Sequence, residues 1–209
     1  MTFLIITAVE PEAAAIRQAA PPGVDVVAVG AGPAAAAAGT ARLLTTKHYE
    51  AVISAGIAGA FPHRAAIADT VLATRSIAAD LGAESSEGFL PIDTLGFGTN
   101  TLSADPTLLK TLRAALPQAI TGDILTLATV TGTAATAERL ATAHPEAIAE
   151  AMEGHGVATA AAAAGIPFAE LRTVSNFIGP RDRKAWRLEE ALEALSQAAA
   201  NFPSEAVTR

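Results

Sequence analysis

Residues 171–183 have the sequence LRTVSNFIGPRDR, in which an apolar strand ends in a polar loop. The loop begins at the Gly179-Pro180 break, and ligands bind at the carboxyl ends of the strands in open parallel sheets. Asn176 carries a donor and an acceptor on one planar amide, so it is a candidate for recognising the edge of a base. The alternative is a strand-to-helix turn that Ser175 and Asn176 cap.

Outward from this segment, apolar runs typical of buried strands alternate with helical runs. The predicted strands are 2–9, 24–29, 51–54 with a turn at 55–59, 69–77, 122–130 and 167–176. The predicted helices are 11–20, 34–44, 106–116, 134–143, 147–164 and 186–202, and 84–101 is predicted to be a long loop. The alternation predicts an α/β fold with a mostly parallel sheet, and residues 1–209 are expected to form one domain.

The composition limits the classes of function. The chain has 209 residues, of which 51% are hydrophobic and 17% charged, as in globular domains. A net charge of −7 argues against a nucleic-acid partner, and the lack of cysteine excludes disulfides and cysteine nucleophiles. No signal peptide or apolar run of membrane-spanning length is expected. We therefore expect a cytoplasmic protein with no membrane partner, and we predict neither a metal nor another cofactor.

One motif suggests a dinucleotide site. Gly30-Ala31-Gly32-Pro33-Ala34-Ala35 follows a predicted strand and precedes a helix, and Glu50 lies about 20 residues further on, as the fingerprint requires. However, the motif follows the second strand, and Glu50 precedes its strand instead of ending it. An oxidoreductase that binds a nucleotide therefore stays only an alternative.

Two carboxylates, Glu10 and Glu12, follow the first predicted strand. At the start of a helix they are expected to interact favourably with its dipole. A carboxylate at the carboxyl end of a strand is also suited to activating a water molecule. The residues alone leave both interpretations open.

Glu153 is the most unusual carboxylate, because it lies in a long apolar stretch. A buried carboxylate must be paired or hydrogen-bonded, and one such use is to accept hydrogen bonds from two adjacent sugar hydroxyls. Gly154 and Gly156 allow a ligand or a backbone to come close, whereas His155 is expected to be a structural donor.

A charged group, Arg181-Asp182-Arg183, precedes Trp186. It fits either a solvated helix start or a loop whose arginines hold an anionic group.

Five short motifs together resemble the purine nucleoside phosphorylase and nucleosidase superfamily. In the family's order they are Ala8-Val9-Glu10-Pro11-Glu12, Gly56-Ile57-Ala58-Gly59, Thr131-Gly132, Met152-Glu153-Gly154 and Arg172-Thr173-Val174-Ser175-Asn176. The resemblance covers nearly the whole chain. It implies a three-layer α/β fold of the nucleoside phosphorylase type, with helices flanking a central mixed, mostly parallel twisted sheet. It also implies a small purine nucleoside as substrate and a homodimer or larger homo-oligomer.

The resemblance also implies roles for single residues. Glu12 matches the carboxylate that activates the attacking water. Met152 and Glu153 match the pair that binds ribose, with Glu153 on the 2′ and 3′ hydroxyls. Asn176 matches the residue that meets the departing purine, and Arg172 matches a buried arginine that supports the site. The other predicted substrate-binding residues are Gly56, Ile57, Ala58, Thr131, Gly132, Ala135, Phe177, Arg181 and Asp182.

The chain departs from the family pattern at positions that bear on the substrate. Members that act on 6-aminopurines carry Asp in place of Asn176. An amide donates to a 6-oxo group and accepts from a protonated N7, so Asn favours hypoxanthine or guanine, and each mispaired group costs about 1–3 kcal/mol. Glu10 and Glu12 replace the basic residues of the phosphorylases, which favours water over phosphate as the nucleophile.

Two further positions lack the residue that relatives use. The aromatic residue that stacks on the base falls near Ala135, so Phe177, Phe89 or Phe97 is expected to replace it. Ile57 stands where relatives carry a hydroxyl residue, so backbone N–H groups are expected to hold the water.

The segment around Asn176 resembles that of hydrolases of this superfamily in menaquinone biosynthesis. They release hypoxanthine from futalosine, an inosine that bears an aromatic carboxylate on its 5′ side, and Arg181 and Arg183 are then expected to meet that carboxylate. The rival interpretations are a nucleosidase for methylthioadenosine or adenosylhomocysteine, a purine nucleoside phosphorylase, the oxidoreductase, and a base-binding module without catalysis.

Overall fold

Ten strands and six helices make up residues 2–202, the part of the chain that a computed structural model describes. The strands are β1 Phe3–Thr7, β2 Val24–Ala28, β3 Ala51–Ala60, β4 Thr70–Ala78, β5 Gly82–Ser85, β6 Gly88–Pro91, β7 Thr101–Ser103, β8 Ile120–Thr126, β9 Ala147–Ala151 and β10 Phe168–Phe177. The helices are α1 Glu10–Ala19, α2 Pro33–Leu44, α3 Pro106–Ala115, α4 Ala134–Ala143, α5 Gly154–Ala164 and α6 Leu188–Ala199. That residues 1–209 form one domain stays a prediction. Residue 1 and residues 203–209 lie outside the described residues.

Eight of the strands form one mixed sheet in the order β10-β4-β8-β9-β3-β1-β2, with β7 beside β4. Most neighbours are parallel, whereas the pairs β4–β10, β3–β9 and β4–β7 are antiparallel. Because β10 also pairs with β3, the strands β3, β10, β4, β8 and β9 close into a ring from which β1 and β2 extend. The predicted α/β fold with a mixed, mostly parallel sheet is confirmed.

Helices cover both faces of the sheet, because strands such as β1 carry apolar side chains on both faces. The side chains of β1 alternate between faces because a strand has a period of two residues. Ile5 packs in a cluster with residues of α1, α3 and α6, whereas Leu4 and Ile6 pack in a second cluster with residues of α2 and α5. Burying each such side chain contributes roughly 1.5–3 kcal/mol. Within residues 2–202, no helix has both the length and the apolar character that crossing a bilayer requires.

The course of β3 creates an opening in the sheet. On one side it pairs with β10 from Val52 to Ala60. On the other side it pairs with β1 only up to Ser54 and with β9 only at Gly59 and Ala60. The backbone at 55–58 therefore faces the start of α1 without a paired strand on that side, and this opening positions the candidate site.

Three predictions of local structure are wrong. Residues 147–151 form β9 and not the start of a helix, since burial between β8 and β3 overrides the helix propensity of alanine. Residues 55–59, predicted to be a turn, continue β3. The predicted loop 84–101 contains most of an antiparallel hairpin formed by β5 and β6.

Candidate active site

A cleft of about 200 Å³ opens where β3 separates from β1. Many residues predicted from the sequence lie in its wall: Glu12, Ile57, Ala58, Thr131, Met152, Glu153, Asn176, Phe177 and Arg181. The sequence prediction missed other lining residues, of which Glu150 and Trp186 have the largest side chains.

Glu12 lies at the inner end of the cleft and is held by backbone donors. Its Oε2 accepts hydrogen bonds from the N–H groups of Ala8 (3.0 Å) and Val9 (3.2 Å), and its Oε1 accepts one from the Ile57 N–H (2.9 Å). Burial raises the pKa of Glu12 above its usual value, although the Ile57 hydrogen bond and the charge of Arg172 oppose this effect. The result is a fixed carboxylate that is more basic than a solvated one, as a general base requires.

Ile57 does not leave its N–H free for a water molecule, as the sequence suggested, because Glu12 takes that group directly. Gly56 makes this contact possible. A Cβ atom at Gly56 would lie 2.5 Å from Glu12 Oε1 and 3.0 Å from Arg172 Nη1. Gly56 therefore lies directly behind the carboxylate and serves its placement.

Glu153 lies between the loop after β2 and the buried Arg172. Its Oε1 accepts a hydrogen bond from the Gly32 N–H (3.0 Å), and its Oε2 accepts one from Arg172 Nη1 (3.2 Å). Each carboxylate oxygen has two acceptor positions, so Glu153 retains acceptor capacity for hydroxyl groups in the cleft.

Arg172 is completely buried and connects the carboxylates behind the cleft. Besides Glu153, it donates from Nε to Glu170 Oε1 (2.9 Å) and from Nη2 to Ser54 Oγ (2.9 Å). Glu170 also accepts a hydrogen bond from the Ser76 hydroxyl, and burial raises the pKa of Glu170 despite the charge of Arg172. Each nitrogen of the guanidinium thus donates one hydrogen bond, and the group fixes Glu153 from behind.

Asn176 is half-buried at the end of β10, where the register with β3 shifts between Val174 and Asn176. Such an irregularity re-aims a side chain. The Asn176 Nδ2 donates to the Phe177 carbonyl (3.1 Å), and its Oδ1 accepts from Ser175 Oγ (2.8 Å). Because the carbonyl only accepts, these partners fix the orientation of the amide, and its nitrogen keeps one further donor position and its oxygen one further acceptor position.

Thr131 and Glu150 form a second polar pair in the cleft wall. The Thr131 N–H donates to Glu150 Oε1 (2.7 Å), and its hydroxyl donates to Glu150 Oε2 (2.5 Å). Glu150 is 4% exposed. Burial raises the pKa of Glu150, and the Thr131 hydrogen bonds oppose this effect.

Two aromatic residues, Phe177 and Trp186, line the outer part of the cleft. The guanidinium groups of Arg181 and Arg183 lie 5.4 and 5.8 Å from the centre of the Trp186 ring, as in cation–π contacts. Phe177 was one of the residues expected to stack on a base. The structure therefore supplies apolar and cationic surface at the mouth of the cleft.

The family model described as "Phosphorylase superfamily" matches residues 18–207. The chain belongs to the phosphorylase superfamily. A futalosine hydrolase of Streptomyces coelicolor is 48% identical over 220 residues, covering 95% of this chain and 93% of that protein.

Solved structures of the superfamily share this fold. The native structure of the Helicobacter pylori futalosine hydrolase has a TM-score of 0.83 at 16% identity and covers 96% of both chains. A methylthioadenosine/adenosylhomocysteine nucleosidase of Colwellia psychrerythraea in complex with adenine also has a TM-score of 0.83, at 24% identity, and covers 96% of this chain and 93% of that chain. The fold alone therefore does not distinguish between these two kinds of nucleosidase.

Some predicted residues lie outside the cleft wall of this superfamily member. Arg172 and Gly56 lie behind it, as described above. Gly132, Ala135 and Asp182 are exposed and are not part of the wall, and neither are Phe89 and Phe97. Glu10 points away from the cleft and pairs with Arg17 at 2.5 Å.

The glycine motif does not provide a dinucleotide site. The Gly32 N–H, which would bind a phosphate, donates to Glu153, and that carboxylate would repel a pyrophosphate. A Cβ atom at Gly156 would collide with the Pro33 carbonyl, so this motif serves the close packing of α5 on the start of α2. The backbone N–H of His155 donates to Thr126 Oγ1 (2.9 Å), and His155 does not line the cleft.

Proposed function

We propose that this chain hydrolyses the N-glycosidic bond of futalosine and releases hypoxanthine and dehypoxanthine futalosine. The observation that carries this proposal is the 48% identity with the Streptomyces coelicolor futalosine hydrolase, which extends over 95% of the chain. The chain is accordingly a nucleosidase, and the geometry of the cleft supports the following roles.

Glu12 acts as the general base. It takes a proton from a water molecule whose oxygen bonds to C1′ of the ribose while the bond from C1′ to the purine nitrogen breaks. The bonding electrons leave with the purine, and positive charge develops on the sugar. The backbone donors around Glu12 keep the carboxylate oriented, so little reorganisation accompanies the reaction.

Asn176 stabilises the departing base. Its amide donates to the 6-oxo group of hypoxanthine and accepts from N7–H, which has taken a proton from solvent, so that negative charge does not accumulate on the base. These hydrogen bonds strengthen as the bond breaks, so they stabilise the transition state more than the ground state. Ser175 and the Phe177 carbonyl hold the amide in the required orientation.

Glu153 holds the ribose by accepting hydrogen bonds from the 2′ and 3′ hydroxyls, and Met152 packs against the sugar. The fixed partners of Glu153, Gly32 and Arg172, keep its carboxylate in place. Arg172 acts through Glu153 and is a positioning residue.

Water, and not phosphate, is the nucleophile. Glu12, Glu150 and Glu153 bring negative charge to the cleft, which disfavours a phosphate dianion. The guanidinium of Arg172 offers no compensation, because Glu153 and Glu170 already engage it. The sequence predicted that Glu10 also repels phosphate. Glu10 contributes little to this repulsion, because it pairs with Arg17 and does not line the cleft.

Arg181 is proposed to bind the aromatic carboxylate on the 5′ side of futalosine, and both Arg181 and Arg183 contact the Trp186 ring. The positive charge at the mouth of the cleft supports this assignment. A homodimeric or larger assembly and a cytoplasmic location stay predictions from the sequence.

In the test, the purified protein is incubated separately with futalosine, aminodeoxyfutalosine, inosine and methylthioadenosine, each with and without phosphate. The released base is measured by chromatography. We expect hypoxanthine from futalosine at a rate that is independent of phosphate. Release of adenine in preference to hypoxanthine would favour the methylthioadenosine/adenosylhomocysteine nucleosidase activity, and a requirement for phosphate would favour a phosphorylase. If the protein turned over none of these nucleosides, the remaining interpretation would be a base-binding module without catalysis.

A further inference from the structure

Glu150 and Asn176 lie on either side of Gly59 in one row of the sheet. Asn176 of β10 pairs with Gly59 of β3, and Gly59 pairs with Glu150 of β9. Residues paired across neighbouring strands project to the same face. Adjacent strands are about 4.8 Å apart, so the two polar residues lie about two strand spacings apart, with Gly59 between them.

Gly59 keeps this row free of a third side chain. A Cβ atom at Gly59 would lie 2.6 Å from Ile178 Cγ2 and 3.1 Å from Asn176 Nδ2, so a larger residue would displace Ile178 and the amide. Asn176 and Glu150 both line the cleft. A planar ring bound in the cleft can therefore meet the amide on one side and the carboxylate on the other.

Glu150 offers this ring an acceptor. Both of its oxygens accept from Thr131, through the backbone N–H and the hydroxyl. These two donors favour the ionised carboxylate and oppose the effect of burial, which raises the pKa of Glu150. Each oxygen keeps a second acceptor position, and because Glu150 lines the cleft, a ligand bound there can supply the donor.

We propose that Glu150 is a specificity-determining residue that accepts a hydrogen bond from the N1–H of a 6-oxopurine. This inference rests on the proposed function and assigns a second contact to the departing base. The N1–H adjoins the 6-oxo group that Asn176 is proposed to bind, so both residues meet one continuous edge of the ring. A 6-aminopurine has a lone pair at N1, which a carboxylate repels, and therefore Glu150 selects against adenine independently of Asn176.

The inference is tested by the affinities of free hypoxanthine and free adenine, measured by titration calorimetry on the wild type and on Glu150→Gln. We expect the wild type to prefer hypoxanthine, and Glu150→Gln to reduce that preference by about 10-fold or more, because an amide N–H donates to the bare N1 of adenine. If Glu150 had a purely structural role, Glu150→Gln would lower the affinities for both bases by the same factor. An unchanged ratio of the two affinities would therefore overturn the inference.

Two further variants keep the test decisive. Glu150→Asp retains the acceptor, so it is expected to keep the preference for hypoxanthine with a lower affinity. Loss of the preference in this variant would contradict the inference, and this outcome can be measured even if Glu150→Gln does not fold. Glu138→Gln on the exposed face of α4 is the matched control and should keep the wild-type ratio. A wild type that binds no hypoxanthine would instead overturn the proposed function.

Discussion

The backbone N–H of Ile57 donates a hydrogen bond of 2.9 Å to Glu12 Oε1. This contact joins the start of α1 to residues 55–58 of β3, which pair with neither β1 nor β9. A strand N–H without a partner strand would be costly to bury. Here the proposed general base satisfies it, so one contact stabilises the opened sheet and orients the carboxylate.

Glu12→Gln is expected to remove hydrolysis and to leave binding nearly intact. Glutamine keeps the size of the side chain and an oxygen for the Ile57 N–H, but it cannot take a proton from water. We expect kcat to fall by about 10²–10⁴-fold, with hypoxanthine affinity within a few-fold of the wild type. Rapid-quench kinetics and calorimetry measure the two quantities. An equal loss of rate and affinity would show that Glu12 serves binding and not proton transfer.

The pH dependence of kcat/KM is expected to report the raised pKa of Glu12. Burial favours its protonated form, and a protonated base is inactive. Activity is therefore fully present above the raised pKa and is lost as the pH falls through it. The acid limb should lie above 4.5, the ordinary value for a glutamate, and it should disappear from the residual rate of Glu12→Gln. A limb at or below the ordinary value would contradict the assignment.

Much of the fold was predictable, because strands such as β1 are apolar runs bounded by clear breaks. The prediction failed at β9, where Ala147–Ala151 has the composition of a helix. Only the pairing of this segment with β8 and β3, which are distant in sequence, makes it a strand. Local propensity carries no information about such contacts.

The same error explains why Glu150 was missed. On a helix that continues to 164, it would be one more polar residue among alanines. Once 147–151 is a strand, Glu150 aligns with Gly59 and faces the cleft. Glu12, Glu153 and Asn176, by contrast, were identified because each belongs to a motif of the superfamily, and Glu153 also because it lies in a long apolar stretch.

Arg172→Met is expected to destabilise the fold. It leaves Glu153 and Glu170 buried without their common partner, and removing one member of a buried ion pair typically costs about 3–5 kcal/mol. Urea denaturation measures the free energy of unfolding. Arg42→Met on α2 is the control, since Arg42 is exposed and should change stability by less than about 0.5 kcal/mol. Similar effects in both variants would contradict the central place of Arg172.

Gly56→Ala is expected to reduce kcat far more than it reduces stability. The added Cβ atom meets Glu12 Oε1 at 2.5 Å, so the carboxylate must move away from the Ile57 N–H. A small displacement of a catalytic group costs about 10²-fold in rate. Parallel measurement of kcat and of the melting temperature separates the two effects. A wild-type kcat would show that the position of Glu12 is not critical.

Asn176→Asp is expected to reverse the preference between bases. A carboxylate presents no N–H to the 6-oxo group, so futalosine loses a hydrogen bond worth about 1–3 kcal/mol, or roughly 5- to 150-fold in kcat/KM. Aminodeoxyfutalosine should gain, because its amino group finds an acceptor. Competition between the two substrates, followed by chromatography of the released bases, measures the ratio directly. Asn201→Asp at the exposed end of α6 provides the control for the added charge. Full activity of Asn176→Asp on futalosine would mean that Asn176 does not recognise the base, and the choice of a 6-oxopurine would then rest on Glu150.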